Sequence, residues 1–462
     1  MLLPGQHVHI VGVGGFGMSA IARVLLQRGF VVSGSDQRTN DLMRNLAALG
    51  VGIMVGHAPE NVAGADIVVI SSAIPGDNPE IVAATTAGIQ VVRRRDMLGA
   101  LMDGYTGIAV AGTHGKTTTS ALLTHVLMQA GRDPTYIVGG VMQNTGTNAG
   151  VGQGDYFVIE ADEYDHMFLG LKPEIAIVTN IEHDHPDCYP TSDDVVQAFG
   201  EFVEHIPSNG LLVACSDNAP ASRLAGQQRS TGKTVVLYGL ETSRQPDWTA
   251  TQLEPDSAGG ISFTAVQHGQ AIGRVRLNLP GAHNVQNALA VLAVATQQGI
   301  PFAAIVPAFE SFQGTERRSQ MMGEAGGVTV INDYAHHPTA IRVTLAAHRT
   351  RPGLHHLWAV WQPHTFQRMR TLAEEFAQAF SAADHVLVTD VYSVREQVGP
   401  GLDAAGMADL IADTGQADAR YTGSLETTAD VLIKEVQPGD VVLLLSAGDA
   451  PLVGELLLRA RG

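Results

Sequence analysis

A glycine-containing loop in the first half of the chain carries the residue types that bind phosphate. It follows the apolar run YTGIAVA, opens a helix-like stretch, and consists of Gly112, Thr113, His114, Gly115, Lys116, Thr117 and Thr118. A strand before the loop and a helix after it are the setting that a phosphate-binding loop requires. There the backbone amides and Lys116 would hold a triphosphate, and the Thr117 hydroxyl would bind magnesium. The complete pattern has another glycine where this chain has Val110, so the loop is a shortened form, and it predicts ATP binding.

A second glycine loop lies near the N-terminus, between the apolar run HVHIV and the helix-like stretch FGMSAIARVLL. Gly12, Gly14 and Gly17 have the G-x-G-x-x-G spacing, and Asp36 lies nineteen positions beyond Gly17. Glycines at this spacing permit a tight turn and bring the backbone close to a diphosphate at a helix N-terminus. The pattern therefore predicts a diphosphate site without naming the nucleotide, and a plain strand-to-helix turn is the alternative. An NAD-dependent dehydrogenase would use such a loop, but that interpretation leaves the loop of Lys116 unexplained.

Acidic clusters follow two further apolar runs. Glu160 ends the run YFVI and begins the cluster EADE, and the run EIAIVT leads into the segment 182–185, which ends at His185. Ligands of open parallel sheets gather at the carboxyl ends of the strands, so both clusters are predicted to lie beside the Lys116 loop. A carboxylate is the expected magnesium ligand, and a histidine is a less usual addition. The alternative is that both clusters are solvated strand ends.

Polar residues farther along the chain have two interpretations each. His283, Asn284 and Asn287 lie at the start of a predicted helix, and His283 and Asn287 share one face of it. They could contact a ligand or cap the helix. Arg317 and Arg318 could reach a transferring phosphate or lie on the surface.

Two segments of the last third of the chain, 332–338 and 362–370, concentrate histidine, tyrosine, aspartate and arginine directly after predicted strands. Loops at such positions commonly carry binding residues. Two adjacent histidines suggest a metal site, but no third ligand with a convincing spacing accompanies them. We therefore expect these segments to bind a ligand other than a metal ion.

The bulk composition limits the class of protein. The chain has 462 residues, and its 28 Lys and Arg against 46 Asp and Glu give a formal net charge of −18, which argues against nucleic-acid and anionic-membrane partners. The cysteines Cys188 and Cys215 form no disulfide framework, and a reducing cytoplasm fits them. No signal peptide or membrane span is expected, because no apolar run reaches about 18 residues.

The elements that must position these residues alternate between short apolar strands and helical stretches. Such alternation predicts an α/β protein with parallel sheets. The alternation restarts twice, which predicts three domains at 1–105, 106–320 and 321–462. The first is expected to be a Rossmann-like parallel sheet and the second a mononucleotide-binding sheet of the P-loop ATPase type. The polar stretch from about 222 to 272 is expected to form loops and hairpins.

Taken together, the motifs resemble those of the Mur ligases. The stretches GVGGFGMSAIA, GSD, AGTHGKTTT, EADEYD, TNIEHDHPD, GAHNVQNALA, NDYAHHPT and QPHTFQR occur in the order seen in that family and cover nearly the whole chain. The resemblance implies that the first domain binds the UDP end of a substrate and the middle domain binds ATP. It also implies that the third domain is Rossmann-like and admits the amino acid.

The resemblance implies a role for individual residues. ATP binding is implied for the Lys116 loop and for His283, Asn284, Asn287 and Asp333, and magnesium binding for Thr117, Glu160 and His185. The UDP substrate is implied to contact Gly12, Gly14, Gly15, Gly17, Met18, Asp36, Ser71 and Ser72. The incoming alanine is implied to contact Tyr334, His336 and Arg368. Some relatives have arginine where this chain has Thr365, so the alanine carboxylate is expected to have one cationic partner fewer here.

The reaction that the resemblance implies is ATP-dependent amide formation between L-alanine and UDP-N-acetylmuramate, through an acyl phosphate. Lys116 and Arg318 would act by positioning and electrostatics, and His336 would act either as a base or in alanine binding. ATP and Mg²⁺ are the expected cofactors, and a monomer or homodimer is expected. The nearest alternative is ligation of a recycled tripeptide to the same nucleotide sugar. Remote alternatives are the dehydrogenase and a non-catalytic ATP-dependent scaffold.

Overall fold

The computed structural model describes residues 2–256, 258–393, 401–415 and 418–462. These residues form three sheets with helices, which confirms the predicted three-domain α/β class. The predicted boundaries at 105 and 320 stay predictions. The chain divides into two compact units, the first of Met1–Thr249, Gln267–Gln270 and Asn287–Ala308, and the second of Ala250–Val266, Ala271–Gln286 and Phe309–Gly462.

The first sheet of the first unit contains five parallel strands. The strands are β1 (His7–Val11), β2 (Val31–Asp36), β3 (Gly52–Val55), β4 (Ile67–Ile70) and β5 (Gln90–Arg93), and the helices are α1 (Phe16–Gln27), α2 (Asp41–Ala48), α3 (Pro79–Thr86) and α4 (Arg94–Met102). The strand order is β3-β2-β1-β4-β5. The order therefore reverses at β1, and the loop after β1 lies at the switch point where open α/β sheets bind ligands.

The next sheet is also built around a central strand. Its strands in the first unit are β6 (Thr106–Ala111), β7 (Thr135–Met142), β8 (Thr147–Gly150), β9 (Tyr156–Glu160), β10 (Ile175–Val178), β11 (Leu211–Cys215), β12 (Thr234–Tyr238) and the start of β13 (Trp248–Pro255). The helices that follow along the chain are α5 (Lys116–Gln129), α6 (Ser192–Glu204), α7 (Ala219–Ser230), α8 (Ala282–Gln297) and α9 (Phe302–Ser311). Strand β6 lies between β10 and β9, with Ala111 opposite Val178 and Val110 opposite Glu160. The segments that follow these three strands therefore start side by side.

The polar stretch from about 222 to 272 is only partly as expected. Its first part is helix α7, which the side chain of Asn218 caps by accepting a hydrogen bond from the amide of Ala221, with Pro220 in the first turn. A capping asparagine followed by proline is a helix-start signal that outweighs the polarity of the stretch. The remainder forms the expected strands and hairpins, which include β14 (Ile261–Gln267) and β15 (Gln270–Leu277).

The third sheet belongs to the second unit. Its strands are β16 (Gln320–Ala325), β17 (Val328–Asp333), β18 (Leu357–Trp361), β19 (His385–Thr389), β20 (Ala419–Gly423) and β21 (Val441–Leu445), in the order β16-β17-β21-β18-β19-β20. The helices are α10 (Pro338–Arg349), α11 (Phe366–Thr371), α12 (Ala373–Ala377), α13 (Ala404–Asp413), α14 (Leu425–Glu435) and α15 (Pro451–Arg461). Asp333 at the end of β17 and Trp361 at the end of β18 both pair with Leu445. The two polar segments that follow β17 and β18 therefore flank the end of β21.

Among the described residues, no helix has both the length and the apolar character needed to cross a bilayer.

Candidate active site

The loop between β6 and α5 has the geometry of a phosphate cradle. Gly115 caps the N-terminus of α5 in the left-handed region at φ 82°, and Gly112 has φ 140°. A side chain at Gly112 would also lie within 3.1 Å of the backbone nitrogen and oxygen of Asn180. The loop therefore requires glycine at Gly112 for two reasons, backbone angle and space.

The Lys116 ammonium is buried and held from several sides. Its Nζ donates hydrogen bonds to the carbonyl oxygens of Gly112 at 2.6 Å and Thr113 at 3.3 Å, and it lies 2.8 Å from a carboxylate oxygen of Glu163. Burial lowers the pKa of Lys116, but the carboxylates of Glu163, Asp162 and Glu160 outweigh this effect and raise it. The lysine is therefore fully charged at neutral pH, as a phosphate ligand must be.

Glu163 is a partner of the phosphate loop whose role the sequence did not reveal. Its side chain is 3 % exposed, and burial raises its pKa to about 7 although the nearby Lys116 charge opposes the shift. The sequence shows Glu163 only as one member of an acidic cluster. The 3-10 segment Tyr164–Gly170 begins directly after it.

The predicted magnesium ligands are partly brought together. The Thr117 hydroxyl donates to Glu160 Oε1 at 3.2 Å, and Glu160 Oε2 accepts a hydrogen bond from the amide of Gly139 at 2.7 Å. A hydroxyl and a carboxylate beside a phosphate loop are oxygen donors of the kind that Mg²⁺ prefers, so this pair fits the ion. His185 has φ 57°, and its ring lies 4.9 Å from the ring of Tyr164.

The first glycine loop is ordered by polar contacts from β2 and α2. The Gly14 amide donates to Asp36 Oδ2 at 3.0 Å, the Gly14 carbonyl accepts from Asn40 at 2.9 Å, and Gly15 caps α1 without a side-chain hydrogen bond. Asp36 also accepts from the Gln37 amide through its other oxygen at 2.7 Å. Asp36 therefore helps to position the loop. It also lies where the sequence predicts a contact with the ligand.

The remaining residues predicted for the UDP substrate lie around the same loop. Gly12 has φ 80°, and a side chain there would approach Ile74 at 3.2 Å and the Ser71 hydroxyl at 3.9 Å. Met18 is buried in α1, and Ser72 is exposed. Ser71 thus lies close to the glycine turn, whereas Met18 contributes to the core.

The three residues predicted at the start of α8 have different surroundings. In the first unit, Asn287 faces the phosphate loop, because a side chain at Gly115 would lie 2.7 Å from Asn287 Oδ1. In the second unit, the Asn284 side chain donates to the carbonyl of Pro280 at 2.7 Å, which is a helix-start contact. Burial lowers the pKa of His283 to about 4, so this ring is neutral at pH 7.

In the second unit, aromatic and cationic side chains gather after β17. The guanidinium groups of Arg317 and Arg318 lie 4.8 and 5.1 Å from the ring centre of Tyr334. Asp333 is buried and accepts hydrogen bonds from the amides of Ser319 at 2.7 Å and Ala335 at 2.9 Å. Burial raises the pKa of Asp333 despite these hydrogen bonds and the charge of Arg318.

The predicted alanine-binding residues form a continuous chain of contacts. The rings of Tyr334 and His336 are 5.0 Å apart, and those of His336 and His364 are 5.8 Å apart. The Arg368 guanidinium is 3.2 Å from His364 Nδ1, and Arg368 is buried. His364 was not singled out from the sequence, although it lies in the QPH motif that follows β18.

Thr365 has a structural role at the start of α11. It has φ 65°, and its hydroxyl accepts a hydrogen bond from the Arg368 amide at 3.4 Å as the N-cap of α11. Thr365 therefore helps to fix the backbone of the turn that carries Arg368.

The fold and this distribution of polar residues place the chain in a family of nucleotide-dependent ligases. Three family models match it in succession: "Mur ligase family, catalytic domain" over residues 7–106, "Mur ligase middle domain" over 110–295 and "Mur ligase, glutamate ligase domain" over 317–448. The chain belongs to the Mur ligase family, which confirms the predicted resemblance.

Particular members of the family are similar over the whole length. A UDP-N-acetylmuramate–L-alanine ligase of Geotalea uraniireducens is 44 % identical over 454 residues, which cover 98 % of this chain and 97 % of that protein. A crystal structure of UDP-N-acetylmuramate-alanine ligase from Thermotoga maritima is 29 % identical, with a TM-score of 0.81 and 98 % of both chains covered. A murein peptide ligase from Psychrobacter arcticus is 26 % identical, with a TM-score of 0.70 and 99 % of both chains covered.

Proposed function

We propose that this chain joins L-alanine to the carboxylate of UDP-N-acetylmuramate at the expense of ATP, as the first peptide step of peptidoglycan precursor synthesis. The observation that carries the proposal is the 44 % identity over 98 % of the chain to a ligase of that name. The contact of Thr117 with Glu160, next to Lys116 on the phosphate loop, supports it, because a lysine, a hydroxyl and a carboxylate there can hold a triphosphate with its metal ion.

The reaction has two steps. A carboxylate oxygen of the muramyl group attacks the γ-phosphorus of ATP, and ADP leaves with the electrons of the broken P–O bond. The amine of alanine then attacks the acyl carbon of the acyl phosphate, and the tetrahedral intermediate expels phosphate as the amide forms and the amine loses a proton. Little of this requires covalent participation of the protein, so positioning and electrostatics dominate.

The residues of the phosphate loop serve the first step. Lys116 and the loop amides would hold the phosphates of ATP, with Asn287 beside the loop at Gly115. Thr117 and Glu160, with His185 as a further proposed ligand, would hold Mg²⁺, which would neutralise charge on the phosphate oxygens. Lys116 must exchange its contact with Glu163 for a phosphate oxygen, which costs little if Glu163 takes up a proton at its pKa of about 7.

The residues after β17 and β18 serve the second step. Arg368 would bind the alanine carboxylate through its planar guanidinium, held in place by His364 and the cap at Thr365. His336 Nδ1 lies 2.7 Å from the Tyr334 carbonyl, which favours a proton on Nδ1 and leaves Nε2 able to accept one from the amine. Arg318 over the Tyr334 ring would contribute positive charge, and Asp333 would contact the ATP ribose.

A phosphate-release assay with UDP-N-acetylmuramate, ATP and MgCl₂ tests the choice of amine. The panel contains L-alanine, glycine, L-serine, the tripeptide L-Ala-γ-D-Glu-meso-diaminopimelate, and no amine, with product masses confirmed by mass spectrometry. We expect L-alanine to have the highest kcat/KM. Preference for the tripeptide would favour the activity that the name murein peptide ligase describes, and absence of release with every amine would refute ligation.

We further propose that the enzyme acts in the cytoplasm, where ATP and nucleotide sugars are made and where Cys188 and Cys215 stay reduced. We propose a monomer or a homodimer, which light scattering after size exclusion distinguishes.

A further inference from the structure

Three consecutive arginines at the start of α4 differ in their surroundings. Arg93 is exposed, and Arg95 makes only a loose ion pair with Asp96 at 3.5 Å between partly exposed side chains. Arg94, the first residue of α4, turns its guanidinium into the protein. Helix α4 packs closely on the segment that ends at Gly170, because a side chain at Gly99 would collide with the carbonyl of Gly170.

The Arg94 guanidinium lies directly against the first turn of α1. A side chain at Gly17 would lie 2.5 Å from Arg94 Cζ and 2.9 Å from its Nε. A side chain at the third glycine of the G-x-G-x-x-G motif would therefore displace the guanidinium. Arg94 thus reaches the end of the helix that the diphosphate is proposed to approach.

The Arg94 side chain is largely buried, and one of its donors lacks a hydrogen-bond acceptor among the described residues. Its Nε is buried without a partner among the described residues. Glu160 and Asp162 attract it electrostatically, but they do not fully offset its burial, which lowers its pKa. A buried donor without an acceptor is costly, and a ligand anion would remove that cost.

The diphosphate loop, in turn, lacks a cation of its own. No lysine or arginine occurs between Gly12 and Ala22, and Asp36 brings a carboxylate to the Gly14 amide. A helix N-terminus contributes the equivalent of only about half a positive charge. That balances only part of the charge of a diphosphate, so a nearby guanidinium would strengthen its binding.

We propose that Arg94 binds the diphosphate of the UDP-linked substrate and supplies the cation that the first glycine loop lacks. This inference rests on the proposed function for the identity of the nucleotide sugar. Arg94 is also within electrostatic reach of the carboxylates of Asp162 and Glu160, which lie at and just after the end of β9 beside the proposed ATP site.

Binding measurements without turnover test the assignment. Isothermal titration with UDP, UDP-N-acetylmuramate and a non-hydrolysable ATP analogue is carried out on wild type, Arg94→Gln, Arg94→Lys and the matched control Arg93→Gln. We expect Arg94→Gln to weaken the binding of UDP and UDP-N-acetylmuramate by about 10- to 100-fold, as the loss of a charge-assisted hydrogen bond would. Arg94→Lys should lose less affinity than Arg94→Gln because it keeps the charge, but it should not reach wild type because it lacks the planar guanidinium. Arg93→Gln, and the ATP analogue on every variant, should match wild type.

Two outcomes would overturn the assignment: unchanged UDP affinity in Arg94→Gln, or an equal loss of ATP-analogue affinity. Unchanged UDP affinity together with a lower kcat would place Arg94 at the reacting carboxylate instead. Should Arg94→Gln not fold, Arg94→Lys gives the same readout. If wild type ligates alanine and Arg94→Gln keeps its full affinity for UDP, only the assignment of Arg94 is refuted. Wild type that binds no UDP-N-acetylmuramate refutes the proposed function as well.

Discussion

The two glycine loops of the first unit occupy equivalent places but obtain their positive charge differently. Each follows a central strand of its sheet, β1 or β6, and each leads into a helix. The second loop carries Lys116 as the first residue of α5, whereas the first loop has Phe16 at that position of α1 and is approached by Arg94 from α4. A phosphate site can thus contain its cation or take it from a distant part of the chain.

The two cations also differ in the protein groups that they contact when no ligand is bound. Lys116 is ion-paired with the buried Glu163 and bonded to loop carbonyls, whereas the Arg94 Nε has no partner among the described residues. Lys116 must give up its contact with Glu163 before it can bind ATP. Arg94, in contrast, gains a hydrogen-bond acceptor when its ligand binds. Variants of each loop test this contrast.

The largest effect is expected from Lys116→Ala. A preorganised phosphate donor is worth roughly 10²–10³ in rate, so kcat for phosphate release should fall by about that factor. The exposed Lys172→Ala serves as the matched control and should retain wild-type activity.

Stability separates this effect from misfolding. Lys116→Ala leaves Glu163 buried without its cation, and breaking a buried pair costs about 3–5 kcal/mol. Adding Glu163→Gln should restore much of the free energy of unfolding without restoring activity. Near-wild-type phosphate release by either folded variant would contradict a role for Lys116 in ATP binding.

The pH dependence of the free energy of unfolding should show the raised pKa of Glu163 beside the second loop. The pKa of Glu163 is about 7 in the folded protein against 4.5 ordinarily, so the folded state keeps a proton that the unfolded chain has released. The free energy of unfolding should therefore fall as the pH rises from about 4.5 to about 7, by at most about 3 kcal/mol. Urea unfolding at several pH values measures it, and Glu163→Gln should flatten the curve.

The buried carboxylate of Glu80, on α3, should change the stability with pH in the opposite direction. Burial alone would raise the pKa of Glu80, but the His9 ring 3.6 Å from its carboxylate and hydrogen bonds from Ser35 and Asn61 outweigh it and lower the pKa to about 2. Glu80 therefore stabilises the fold above about pH 4.5, and this stabilisation is lost as the pH falls toward 2. Identical pH profiles for wild type and Glu163→Gln, or for wild type and Glu80→Gln, would refute the corresponding assignment.

This contrast also explains how much the sequence could reveal. Lys116, Thr117 and Glu160 were predicted because a local motif and a strand end determine where they lie, and the structure places Thr117 and Glu160 in contact. Arg94 was not predicted, because three arginines at a strand–helix junction have the pattern of a solvated surface. Only the packing of α4 decides which of the three turns inward.

The same reasoning applies to the third sheet. The motifs after β17 and β18 were expected to bind one ligand because both follow strands, yet the strand between them, β21, comes from the end of the chain. The contact of His364 with Arg368 is local and could have been predicted from their spacing of four in α11 and its N-terminal loop. The order of the strands could not be obtained from periodicity alone.

The smallest effects are expected from alanine substitutions at the glycines, and they distinguish the loops most directly. Gly112→Ala should cost about 1–3 kcal/mol of stability, because a φ of 140° strains a residue with a side chain and that side chain would collide with the Thr179 hydroxyl. Gly17→Ala meets only the end of the Arg94 side chain, which can move, so its free energy of unfolding should change less.

Displacing that guanidinium should nevertheless weaken UDP binding severalfold. In an Arg94→Gln background the same Gly17→Ala change should then have little further effect on UDP affinity, because both substitutions remove one interaction. Titration of UDP into the two single variants and the double variant measures this coupling. Additive losses would mean that Gly17 contacts the diphosphate through its own backbone and that the two loops differ less than their cations indicate.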